Sequence, residues 1–224
     1  MNELNSQLTN LKVKYREIFL KTAEIIQAKI ISIKPQIDGE IFDKYPEKSD
    51  GKLWQKQTIE ILEKDYKDSL SKNLNRIKNN RKSCSCTCCG TCCKLACSEF
   101  SPEELQIKAK YGDKFAQQFT QTFIPYESID EARKIFPEYI KMLEENNQSG
   151  YYFYHCPKVT EDNKCPNYEN RPQICKDFPD NPIAFLPPLC GFKDWKLKSE
   201  LISLKLNAEA EITNFYIKKI KEVY

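Results

Sequence analysis

Seven of the eleven cysteines in this chain fall within fifteen residues, SCSCTCCGTCCKLAC, running from Ser83 to Cys97. Inside that run Cys86, Cys89 and Cys92 stand three apart and Cys93 follows directly, giving C-x-x-C-x-x-C-C. Thiols at i and i+3 can converge on one metal ion or one face of a cluster, because a two-residue spacer closes a tight turn around it. Gly90 supplies the permissive backbone that such a turn often needs. Iron–sulfur proteins use the same loop, with three cysteines on C-x-x-C-x-x-C and a fourth from elsewhere. The doubled last position departs from that pattern. Adjacent side chains need not point the same way, so Cys92 and Cys93 can serve different metals or opposite sides of one cluster. Cys84, Cys88 and Cys97 lie outside the spacing and are assigned no role.

Four further cysteines, Cys156, Cys165, Cys175 and Cys190, sit in a stretch rich in proline and asparagine. Disulfides are the weaker reading of all these thiols. Eleven is odd, and the adjacent pairs Cys88–Cys89 and Cys92–Cys93 lie too close for relaxed bridge geometry. The N-terminus has no signal-peptide apolar segment, and no apolar run approaches a bilayer span, so a cytoplasmic location is expected. In a reducing cytosol dense thiols hold metal rather than each other.

The two groups together carry a resemblance. C-x-x-C-x-x-C-C followed by C…C-x-x-Y-x-x-R-P-x-x-C-x-x-F-P resembles the YkgJ-type cysteine-cluster family of zinc- or iron-chelating proteins, whose relatives include flagellin lysine-methylating enzymes. Cys86, Cys89, Cys92, Cys93, Cys156, Cys165, Tyr168, Arg171, Pro172, Cys175, Phe178 and Pro179 fall in register. The match covers roughly residues 83–192. It implies a small domain coordinating zinc or an iron–sulfur centre, with Cys190 in PPLCGF as a further family-like ligand. Arg171 is placed beside the ligands, where a guanidinium donates to thiolate sulfurs or loop carbonyls and orients them. Tyr168 and Phe178 are read as packing, and His155, next to Cys156, as packed or hydrogen-bonded rather than ligating.

Both centres accept four thiolates, so the metal is not decided by donor type alone. A single histidine and the three-by-three spacing favour [4Fe–4S] over zinc. Eight cysteines suit two four-ligand sites, or one cluster with spare thiols.

The elements that must position these residues read as mainly α, with an irregular cysteine-rich domain embedded and little β. Apolar residues at three- and four-residue steps predict a helix over 3–33 and another over 53–78, the two forming a hairpin. Ser101-Pro102-Glu103-Glu104 is a helix start with a capping box, and that helix is expected to run until Pro125. Another is expected over 129–145, a strand at YYFYHC (151–156), an irregular segment over 156–191 and a last helix from Phe192 almost to Tyr224. The division expected is 1–82 helical hairpin, 83–192 cysteine-cluster domain and 193–224 C-terminal helix.

A net charge of +3 over 224 residues is too mild to announce nucleic acid. The basic stretch Lys72 to Lys82 reads first as a solvated helix end, then as compensation for thiolate charge, and last as a nucleic-acid contact. No glycine-rich nucleotide loop and no Cys–His nucleophile pair is present. The function expected is metal binding in a structural or redox role. A cluster-dependent protein-modifying enzyme of the methylase kind, or a zinc module binding nucleic acid, are the alternatives. A protein partner of unknown identity is compatible with the sequence, nucleic acid is not expected, and no membrane association is expected.

Overall fold

A computed structural model describes residues 3–146 and 150–224. Among these, nine helices and three short strands form a mainly α protein. The chain divides into two compact units, one built from Met1–Leu8 and Cys84–Lys193, the other from Thr9–Ser83 and Asp194–Tyr224.

The second unit rests on three long helices: α1 (Glu3–Ser32, from residue 9 onward), α2 (Asp50–Arg81) and α9 (Lys193–Val223, from residue 194 onward). α2 begins earlier than the apolar periodicity predicts. Ser49 takes extended backbone and its hydroxyl accepts from the Lys52 N–H, so the cap sets the start and Gly51 is carried inside the first turn. Ile30, Ile41, Trp54, Leu62 and Ile220 make its buried core. The indoles are anchored as well as buried: Trp54 Nε1 donates to the Ile30 carbonyl at 3.2 Å, and Trp195 Nε1 to that of Ile77 at 3.0 Å. Gln55 Nε2 donates to the carbonyls of Ile41 and Asp43, fixing the connection between α1 and α2.

The first unit is organised around a three-stranded antiparallel sheet. β3 (Tyr152–His155) lies between β1 (Ala96–Ser98) and β2 (Ile124–Pro125), with Cys97 opposite Phe153 and Ile124 opposite His155. β3 was legible as an aromatic run; the two edge strands were not. Side chains alternate across a strand, and here the alternation feeds two cores. Phe153 packs with Leu4, Ala132, Phe136, Ile140 and Leu143, whereas Tyr154 packs with Leu105, Ala116 and Phe119.

Two predicted helices are each divided. The stretch from Ser101 forms α4 (Pro102–Lys110) and α5 (Lys114–Thr122). The capping box at Ser101 and Glu104 is present as expected. What ends α4 is Gly112, which adopts φ of 92°, after which Asp113 caps α5 by accepting from the Ala116 N–H. The stretch from 129 forms α6 (Ile129–Ile135) and α7 (Pro137–Glu145), because Pro137 begins a helix readily but cannot continue one. Between β3 and α9 regular structure is limited to α8 (Gln173–Asp177), and the Phe178–Pro179 peptide is cis. No helix among the described residues is long and apolar enough to cross a membrane.

Candidate metal centre

All eleven cysteines are free thiols, and all lie in the first unit. The residues that bring them together are largely not cysteines. After Cys89 the chain turns at Gly90, whose φ of 75° is left-handed and whose missing side chain leaves room for Asn163; a Cβ there would lie 2.6 Å from the Asn163 Cβ. The turn opens α3 (Thr91–Lys94), a single helical turn in which the N–H groups of Cys93 and Lys94 donate to the Gly90 carbonyl. Cys92 and Cys93 therefore stand on consecutive helical positions. The Cys93 carbonyl accepts from the Cys156 N–H at 2.7 Å, which lays the start of the second cysteine segment on the end of the first.

A second clamp joins more distant parts. Thr87 Oγ1 donates to the Leu189 carbonyl at 2.6 Å, and Gly191 sits so close to Ser85 that a Cβ would lie 2.0 Å from the Ser85 carbonyl oxygen. These contacts hold Cys190 against the Cys86–Cys89 turn. Cys175 is presented by α8, where its N–H donates to the carbonyl of Pro172.

Thiol acidity follows from these neighbourhoods. Burial pushes the Cys190 thiol up, and the nearby Cys89 and Cys86 add to it. Burial and then the thiols of Cys93, Cys156 and Cys165 push Cys175 up to about 11. Cys92 and Cys93 share a hydrogen bond that raises Cys92 and lowers Cys93 to about 7, with Arg171 adding to the lowering. The Cys88 N–H donates to Cys86 Sγ at 3.3 Å, the contact by which peptide groups stabilise thiolate ligands. Cys88 itself is exposed and has φ of 55°.

Arg171 lies close to Cys86 and Cys93. Its guanidinium lies over the Tyr168 ring, 4.2 Å from the centroid. Burial works against its charge, but hydrogen bonds and electrostatic attraction from Tyr168 and Cys86 outweigh it and hold the cation firmly protonated. Tyr168 is thus a platform for Arg171 as well as packing. His155 stacks against Tyr126 with ring centroids 4.7 Å apart, consistent with a packed rather than ligating ring. Cys97 is exposed on β1, its sulfur 3.9 Å from Tyr139 Oη.

The donor set fits either metal named by the spacing, being sulfur throughout, with a cation and a peptide N–H directed at it. The backbone brings the thiols into mutual range without converging them: among the described residues no three His, Cys, Asp or Glu side chains are gathered tightly enough to hold an ion as they stand. The Thr87–Leu189 clamp and the Asn163–Gly90 approach are the parts that sequence reasoning missed. Gly90, read as the permissive residue of the cysteine turn, was the visible trace of the second.

A family model described as "putative zinc- or iron-chelating domain", CxxCxxCC, matches residues 83–199. The chain belongs to the CxxCxxCC family. That span takes in all eleven cysteines, from Cys84 to Cys190, together with Arg171 and both clamps. Chelation of zinc or iron is what the family description gives for this domain, and the cysteine spacing agrees with it. No curated protein and no solved structure matches the chain.

Proposed function

We propose that this chain binds its metal as [4Fe–4S] in preference to zinc, in a structural or redox role. The observation that carries the reading is the donor set: thiols alone, from loops that the fold ties together, with the sole histidine stacked on Tyr126. A bound [4Fe–4S] cluster supplies one-electron redox chemistry and cross-links the loops that ligate it. The chain's own contribution is to keep thiolates available. Arg171 supplies positive charge beside Cys86 and Cys93, and the Cys88 N–H donates to Cys86. Free thiols in this density suit the reducing cytoplasm.

The test is metal and acid-labile sulfide content, with a visible spectrum, on protein purified without oxygen. Brown protein with iron and sulfide in equal amounts is the expected result. Colourless protein containing zinc and no sulfide overturns the iron–sulfur reading and leaves a zinc-chelating domain.

A further inference from the structure

We propose that Asn163 is a positioning residue for the metal centre: the turn formed by residues 160–164 presses it onto Gly90 and so fixes the Cys89–Cys92 turn without help from metal. The proposal rests on the reading that Cys89 and Cys92 are metal ligands, and it adds what holds them in place.

The cysteine turn cannot hold itself. Gly90 stands between Cys89 and Cys92 with φ of 75°, and a glycine populates that region about as readily as several others. The helix that follows, α3, is a single turn of four residues, and one turn fixes more backbone than its hydrogen bonds repay. Both therefore depend on contacts from outside, and one is made at each end of α3. At the far end the Cys156 N–H donates to the Cys93 carbonyl at 2.7 Å. At the near end Asn163 packs on Gly90 so closely that a Cβ there would lie 2.6 Å from the Asn163 Cβ and 2.9 Å from its Oδ1.

The part that presses is made rigid by its own bonds. The Thr160 N–H donates to the Lys164 carbonyl at 3.0 Å, and the Asn163 N–H to the Thr160 carbonyl at 3.0 Å. The Thr160 hydroxyl accepts from the Lys164 N–H at 2.9 Å and donates to Asp162 Oδ1 at 2.6 Å. Asn163 itself is left-handed, with φ of 67°, a conformation that asparagine tolerates better than most side chains. A closed turn thus holds one half-buried side chain against the single glycine of the cysteine run. Lying between Cys156 and Cys165, it carries the restraint from the second cysteine segment to the first.

The experiment compares the whole chain as wild type, Asn163→Gly, Gly90→Ala and the double variant. In reduced, metal-free protein, alkylation followed by mass spectrometry gives the rate at each thiol. Asn163→Gly allows the left-handed backbone and removes the side chain, so Cys89 and Cys92 are expected to react faster while Cys97 and Cys190 keep their rates. Equal rates in wild type and variant overturn the proposal, and so does equal acceleration at every thiol. Zn²⁺ affinity, measured against a chromophoric chelator, should fall about tenfold in the same variant, the lower end of the cost of losing a group that orients a ligand. The double variant isolates the contact. Gly90→Ala forces a methyl group onto Asn163, so Asn163→Gly should relieve much of its effect. Gly90→Ala effects of the same size in both backgrounds overturn the proposal. A wild-type chain that binds neither zinc nor iron overturns the chelation reading, whereas a chain that binds metal, with rates and affinity unaltered in Asn163→Gly, overturns the proposal alone.

Discussion

At the scale of residues, Arg171 and Gly191 do work that no thiol can do. The Arg171 guanidinium lies over the Tyr168 ring with its charge beside Cys86, the arrangement by which a cation orients and offsets a thiolate. Arg171→Ala is expected to lower metal affinity about 10–100-fold, the usual cost of losing a group that orients a ligand. Competition with a chromophoric chelator measures it, and Arg171→Lys should recover only part, since an ammonium cannot both stack and fork. Gly191 acts by what it lacks. With a Cβ only 2.0 Å from the Ser85 carbonyl oxygen, Gly191→Ala must push the two loop ends apart. The expected result is faster alkylation of Cys190 than in the unaltered chain. The cysteine motif of the family was legible because metal chemistry demands fixed residue types at fixed spacings. Thr87 and Asn163 were not, because their contacts join residues far apart in the chain and any hydroxyl or short side chain could stand in the sequence without notice.

At the scale of elements, capping and strand alternation explain most of what forms. The long helices, the Ser101 capping box and β3 could be read directly, since each rests on local pattern. The division of the middle helices rests on Gly112 and Pro137, whose effect depends on whether tertiary packing tolerates a continuous helix. The edge strands are too short for any period to show, and exist because β3 offers them partners. Tyr154 gives β3 a pH signature. Burial, with Glu103, Tyr152 and Glu104 adding, raises its hydroxyl from 10.0 to about 12. A group raised on folding contributes stability below its unfolded value, and that contribution is lost as pH climbs through the folded one. Stability should therefore fall between about pH 10 and 12, and Tyr154→Phe should flatten that fall. At neutral pH the same substitution removes the bond to the Phe100 carbonyl, at a cost of about 0.5–1.5 kcal/mol, so urea titrations at pH 7 and 11 separate the two effects.

At the scale of the whole molecule, helical content and metal dependence sit in different units. α2 and nearly all of α1 and α9 belong to the unit without cysteines, whereas the segment from Cys156 to Gly191 carries one five-residue helix. Chelation is accordingly expected to leave most of the far-ultraviolet helical signal while hydrogen exchange accelerates over residues 156–191. Uniform acceleration over α1, α2 and α9 as well would show that the long helices also need the metal. The clamp between Ser85–Thr87 and Leu189–Gly191 carries one more consequence. Cys86 and Cys190 stand about a hundred residues apart in the chain, and a metal joining them closes that whole span into a ring. By the polymer statistics used for disulfides, a tie of that length removes enough unfolded-state freedom to stabilise the fold by about 4–5 kcal/mol. The metal centre would then act as a buckle on a long strap, felt most by the chain when the rest of the fold is undone.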